Sequence, residues 1–313
     1  MRSILAALAV VLGFGALPAA AQVASPHAID VPKWFSDSFL DLPEDVRDAA
    51  REGRRLMLYF GQDGCPYCKA LMKVNFGDPE IVAFTRKHYI AVALNIWGDR
   101  EVKWLDGRTM PEKELARVLK VQYTPTLLFF DDKGEVVLRL NGYQPPDRFR
   151  VALEYARLPK AGRPSYADFI AKKQGGGGAA KPEEDLKAAL AAGKPVLVIA
   201  TRAGCKECDE LEREGLRRPE VARLRQAFTV VRREASGPWA RANNVTYTPT
   251  LVYLDTHGQE VFRTEGYLRP FHLAASLDYV ASGAYRREPN FQRYLQGRAD
   301  TMRAQGKEVD LWK

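Results

Sequence analysis

The chain has 313 residues, 47 Lys and Arg against 39 Asp and Glu, a formal net charge of +8, and four cysteines. Its basic residues are scattered among acids with no aromatic-interleaved basic tract, which excludes a nucleic-acid-tracking surface and leaves solubility or a mildly acidic partner as the meaning of the charge. Four cysteines are too few to staple so long a chain, so each domain must stand on its own hydrophobic core.

Residues 1–21 have the parts of an export signal: Arg2, an apolar run over 4–17, and small residues at 19–21. The run is short for a membrane span of about 20 residues and Pro18 closes it. Cleavage after Ala21 is expected, with a soluble, periplasmic or otherwise exported product. No cysteine stands at the cleavage region, which argues against a lipid anchor.

A first domain is expected over 29–170. A helix runs from Asp41 to a stop at Gly53, then an apolar strand over 56–60 leads into Cys65-Pro66-Tyr67-Cys68. An amphipathic segment to Val74, a helix over 79–88 and a strand over 89–94 follow. Residues 96–108 read as a surface loop anchored by a tryptophan, Trp97 or Trp104. A helix over 110–121 precedes Tyr123-Thr124-Pro125-Thr126, a hairpin turning at Gly134, Gly142-Tyr143 and a terminal helix. A short helix is expected over 166–170.

Residues 171–181 contain four successive glycines, Gly175 to Gly178, and read as a flexible linker. Residues 182–282 then repeat the first half: a helix to Gly193, a strand over 196–200, Cys205-Lys206-Glu207-Cys208, a helix over 219–227, a strand over 228–232, Tyr247-Thr248-Pro249-Thr250, a hairpin at Gly258 and Gly266-Tyr267. Both halves follow the order β-α-β-α-β-β-α. Between Cys68 and Pro125 lie 56 residues, against 40 between Cys208 and Pro249, so the first half carries an insertion of about 16. The tail, 283–313, is polar, with Tyr285, Phe291, Tyr294 and Leu295 able to pack back and no readable function.

Two thiols three residues apart at a helix start can close into a disulfide with little backbone movement, and free helical N-H groups favour the thiolate. Redox catalysis is therefore the first reading of each pair; a structural disulfide and a metal site are the alternatives. Zinc wants four ligands and each half supplies two sulfurs, while His27, His88, His257 and His272 show no paired spacing with the cysteines. Lys69 and Asp209 follow the pairs, so covalent haem attachment is not suggested. No cofactor or metal is expected. Tyr67, between the cysteines, should be exposed enough to touch a partner, whereas Tyr123 and Tyr247 read as core or rim packing.

A C-x-x-C after a core strand, with Thr-Pro opening a later strand, occurs twice and resembles the thioredoxin superfamily. The first half is similar to periplasmic thioredoxins of sulfur oxidation or cytochrome maturation. The resemblance implies an α/β fold: two tandem thioredoxin-like domains, each a mixed central sheet flanked by helices. It implies Cys65 and Cys205 as attacking thiols, Cys68 and Cys208 as resolving thiols, cis Pro125 and Pro249 beside them, and Thr124 and Thr248 offering backbone to extended cysteine-containing protein substrates. It also implies reduction, with electrons from a membrane thiol carrier. The chain departs from the pattern at Gly64 and Gly204, where tryptophan is common, and at Tyr59 and Ile199, where a buried acid is expected. A disulfide isomerase or chaperone, or a binding module with a structural second half, is the alternative function. The two cysteine pairs are expected to act separately.

Overall fold

The computed structural model describes residues 29–174 and 183–311. The export segment and the four linker glycines lie outside the described residues. Helix α1, Leu42–Arg51, starts at Asp41, whose carboxylate accepts from the Glu44 N-H at 3.1 Å, and buries Leu42, Val46 and Ala49 along one stripe. Strand β1, Arg55–Gly61, follows, then α2, Pro66–Ala70, which continues through a π-helical turn over Leu71–Asn75. Helix α3, Pro79–His88, leads directly into β2, Tyr89–Asn95.

The insertion is more ordered than a surface loop. Strands β3, Glu101–Lys103, and β4, Thr109–Pro111, pair as an antiparallel hairpin ahead of α4, Glu112–Val118. Glu112 is buried beneath it, accepting from the Asn95 N-H at 2.9 Å and from Arg100 at 2.6 Å, so a paired carboxylate anchors the excursion. Trp104 packs on Phe130 with ring centroids 6.2 Å apart, while Trp97 remains 39% exposed.

Strands β5, Thr126–Phe130, and β6, Val136–Asn141, complete a sheet of order β2-β1-β5-β6, with β1 parallel to β2 and antiparallel to β5. Strand β1 is buried on both faces. Leu56, Leu58 and Phe60 join one core layer and Met57 and Tyr59 the other, as the period of two requires. Helices α5, Pro146–Ala156, and α6, Tyr166–Gln174, close this half. Helix α6 is longer than the sequence suggests and carries helical structure into residues 171–174.

The second half repeats the plan. Helix α7, Glu183–Ala191, and strand β7, Val196–Thr201, precede α8, Lys206–Glu210, which again runs into a π-helical turn, Leu211–Gly215. Then come α9, Pro219–Arg225, β8, Thr229–Glu234, α10, Pro238–Ala242, β9, Thr250–Leu254, β10, Glu260–Glu265, and α11, Pro270–Ala281. The sheet order is β10-β9-β7-β8, the counterpart of the first. The polar tail forms α12, Phe291–Ala304, whose Phe291 and Leu295 enter the same core as Phe262 and Tyr279.

Phe262 is the hub of that core, with ring centroids 4.8 Å from Phe291, 5.0 Å from Tyr279 and 5.6 Å from Tyr253. Phe262→Ala is expected to cost about 3 to 5 kcal/mol in denaturant unfolding. Replacing the fully exposed Phe39 by Ala should stay within about 0.5 kcal/mol.

Candidate functional site

Both cysteine pairs stand at the start of a helix that follows the central strand. Cys65 caps α2, its sulfur 3.0 Å from the Cys68 N-H, and Cys205 caps α8 with the matching distance of 3.1 Å. Each pair is closed into a disulfide with its Cα atoms 5.2 Å apart. Once reduced, the leading sulfur would lie at the positive end of a helix, beside an N-H able to stabilise a thiolate. Pro66, at the first helical position, has no N-H to leave unpaired. Gly64 and Gly204 precede the leading cysteines at φ +73° and +68°, a left-handed backbone that disfavours the tryptophan common at this position.

The Thr-Pro-Thr segments close over these pairs. The Thr124-Pro125 and Thr248-Pro249 bonds are both cis. In each segment the second threonine ties the bend back: Thr126 Oγ1 donates to the Tyr123 carbonyl at 2.8 Å and Thr250 Oγ1 to the Tyr247 carbonyl at 2.7 Å. Gly142 and Gly266 then donate their N-H groups to the Pro125 and Pro249 carbonyls, both at 2.8 Å. These two glycines have φ of +78° and +88°, and each faces the other half: a Cβ on Gly142 would meet the Glu265 carbonyl at 3.4 Å. The Cys65 sulfur lies 3.3 Å from the Thr124 carbonyl oxygen.

The two halves meet on the first site. Tyr67 is half-buried, and its hydroxyl accepts from the Arg269 N-H at 2.8 Å while its ring stands edge-on to His272 at 5.5 Å. Gln122 and Tyr123, just before Thr124, are also covered: the Gln122 carbonyl accepts from Gln292 Nε2 at 3.1 Å, its side-chain oxygen accepts from the Phe291 N-H at 2.8 Å, and Tyr123 stacks on Phe262 at 5.7 Å. What remains is a cleft of about 1090 Å³ with Cys65, Tyr67 and Thr124 on one wall and α8, α11 and α12 on the other.

Of the residues singled out in the sequence, the structure thus brings Cys65, Tyr67 and Thr124 to one cleft. Cys68 is fully buried behind Cys65, and Pro125 supports the bend. Cys205, Cys208, Thr248 and Pro249 do not line this cleft; in their half Thr248 Oγ1 accepts from Arg202 Nε at 3.3 Å. Tyr67 corrects the sequence reading, because the second half occupies the face expected to meet an outside partner. Gln122, Glu265 and Gln292 carry no motif in the sequence, and His272 stands out there only as a histidine without metal-ligand spacing. Aligning the halves on Gly142 and Gly266 offers one signal, since it puts Arg148 and His272 in register; both are buried and each has a ring or guanidinium nitrogen without a partner.

Electrostatics follow from this burial. Desolvation, reinforced by Arg269, pushes the His272 pKa down to about 4, so its ring is neutral near pH 7. Burial raises the Glu265 carboxyl to about 7, opposed by Arg263 and Arg139. Burial also lifts Tyr67 to about 12, leaving its phenol neutral as the acceptor for Arg269.

A family model described as a thioredoxin-like domain matches residues 42–157 and, separately, 182–281. The chain belongs to the thioredoxin-like family. The thiol:disulfide interchange protein DsbD of Photorhabdus laumondii is 30% identical over 109 residues, 34% of this chain but only 17% of that protein. Among solved structures, a thioredoxin from Thermus thermophilus is 28% identical, covering 36% of this chain and 82% of its own with a TM-score of 0.29. A thioredoxin-fold protein from Helicobacter pylori is also 28% identical, covering 49% of this chain and 92% of its own with a TM-score of 0.29. The two thioredoxin-like domains each keep the C-x-x-C and the cis-proline bend.

In the reduced chain, alkylation near neutral pH followed by peptide mapping should mark Cys65 before Cys68, because Cys65 lines the cleft and Cys68 does not. Preferential labelling of Cys68 would reverse the two roles. His272 has a folded pKa of about 4 against the usual 6.5, so as pH falls between those values the unfolded chain takes up its proton first and stability is lost. From pH 7 to 5 its share is about 2 kcal/mol. His272→Asn should flatten the pH dependence of the unfolding free energy by that amount; an unchanged slope would mean a solvated imidazole.

Proposed function

We propose that this chain is a thiol-disulfide oxidoreductase acting outside the cytoplasm, in the periplasm or an equivalent exported compartment, and reducing disulfides of exported proteins through Cys65 and Cys68. The observation carrying this reading is the cap geometry of Cys65 in the cleft, with the Thr124 carbonyl 3.3 Å from its sulfur and Cys68 buried one turn behind. Cys65 as thiolate attacks a substrate disulfide, giving a mixed disulfide and a released substrate thiolate; Cys68 then attacks the Cys65 sulfur, freeing the substrate and leaving the Cys65-Cys68 disulfide. A membrane thiol carrier returns the two electrons. Membership of the thioredoxin-like family, the partial match to a thiol:disulfide interchange protein and the amino-terminal export pattern support this assignment.

With Tyr59 in place of a buried acid, proton removal from Cys68 falls to water or to a group delivered across the cleft. Tyr59 is unsuited to that task, since burial holds its phenol far above the usual range. A second reading, in which the second domain is a structural companion, is favoured by one observation: α11 and α12 cover the Gln122-Tyr123 edge, whereas Cys205 does not line the cleft.

Reduction of insulin disulfides by the full chain separates these readings. Cys65→Ser should abolish turnover and Cys205→Ser should lower it only in part, whereas full activity in Cys205→Ser would favour the structural-companion reading. Complete loss on Cys205→Ser, with the fold and Cys65 reactivity intact, would instead require electrons to pass through both pairs.

A further inference from the structure

The wall facing Cys65 is built from the other domain's redox helix, and it is acidic. Glu207, Glu210 and Glu214 all line the cleft, spaced so that one side of the continuous helical run over 206–215 presents them together. None of the three forms an ion pair among the described residues, whereas Glu212, on another side of the run, is paired with Arg232. Asp63, two residues before the cysteine, and Glu308 of the tail add two more carboxylates to the lining. Against these five acids stand three guanidiniums, Arg218, Arg269 and Arg303, and Arg303 is already bridged to Asp300. A chain of formal charge +8 therefore surrounds its first redox cysteine with charge of the opposite sign.

A cleft lined by one sign of charge between low-dielectric walls concentrates ligands of the other sign. The recess also has an uncommitted hydrogen-bonding group: His272 lines it, is 8% exposed and has no partner for Nδ1. Cys65 is 3% exposed, so a broad folded surface cannot reach its sulfur while a narrow chain can enter.

We propose that Glu207, Glu210 and Glu214 of the second domain determine the specificity of the Cys65 site, selecting disulfides that carry positive charge on a narrow, extended chain. The inference rests on the exchange reading above and names the substrate class for that same site. Reduced Cys65, as thiolate, attacks one sulfur of the cationic disulfide; a Cys65-substrate bond forms, the substrate S-S bond breaks, and the departing thiolate takes a proton from water. Cys68 then attacks the Cys65 sulfur and expels the second thiolate, so two electrons move from the cysteine pair to the substrate. An external dithiol such as dithiothreitol restores the pair.

The test uses the reduced full chain with either cystamine, a small dication, or 3,3′-dithiodipropionate, a small dianion. Acid quench, alkylation and peptide mapping read the rate of Cys65-Cys68 disulfide formation. Each rate is divided by that of 2-mercaptoethanol with the same disulfide, which removes the intrinsic difference between the two reagents. The normalised preference for cystamine should be about tenfold or more at low salt and shrink at roughly 0.5 M salt. The Glu210→Gln, Glu214→Gln double variant should lower the cystamine-to-dithiodipropionate rate ratio several-fold, a ratio from which any change in Cys65 nucleophilicity, read with the neutral 2-hydroxyethyl disulfide, cancels. A normalised ratio near one, or a preference untouched by the double variant, would overturn the charge selection and leave the exchange reading standing. Failure of Cys65 to react with any of the three disulfides would overturn the exchange reading and this inference with it.

Discussion

Tyr123 lies in the aromatic cluster of the second half while its neighbour Thr124 touches the first redox sulfur, so the packing of one core and the shape of the other half's active site are a single physical problem. The ring stacks on Phe262, the hub residue, and Phe291 of α12 completes the contact. Aromatic pairs of this kind add roughly 0.5 to 1.5 kcal/mol beyond their buried area and impose orientation as well as adhesion. The Gln122 and Gln292 hydrogen bonds set the register of the contact. A seam built this way places α11 and α12 over the first site without any covalent link near it.

Duplication explains the symmetry of the seam, and divergence explains its chemistry. Both halves retain the strand, the left-handed glycine before the leading cysteine, the π-helical turn, the threonine-tied cis-proline bend and the glycine that holds it. Those features concern backbone geometry, which tolerates little change. The residues between the cysteines are free of that constraint, and there the halves part: Tyr67 reaches across to Arg269 and His272, while Glu207 faces the first site as part of its acidic wall. The first domain's Cys65 lines a cleft whose acidic wall belongs to the second.

The seam also carries polar burial that does not help hold it together. Arg148 and His272 occupy matching positions, are almost wholly buried, and each leaves a nitrogen unpaired. A buried unpaired group costs about 1 to 3 kcal/mol, which offsets part of what the aromatic contacts contribute. Desolvation keeps the imidazole neutral and pulls the guanidinium pKa below its ordinary range.

The fold was legible because its signals are local. The apolar strands over 56–60 and 196–200, the capped C-x-x-C helices, the Thr-Pro-Thr bends and the turn glycines are each specified within a few residues, and twofold repetition makes chance agreement implausible. Cys65, Cys68, Cys205 and Cys208 follow from the same local logic. The ordering of the insertion was not legible, since it depends on Glu112 finding Arg100 and the Asn95 N-H in three dimensions. The tail's packing was legible in Phe291 and Leu295, but its helix α12 was not, because so few apolar residues set no helical period until Phe262 and Tyr279 provide a surface for them. The sequence by itself determined the paired C-x-x-C and Thr-Pro-Thr motifs and, through the family resemblance they carry, two thioredoxin-like domains, because backbone geometry and cap chemistry are short-range. Only the tertiary structure decided that Tyr67 faces inward, that His272 and three glutamates of one domain line the other's cleft, and that Cys65 shares that cleft with them. Those outcomes depend on contacts between residues some 200 positions apart, as between Tyr67 and Arg269, and no local pattern encodes them.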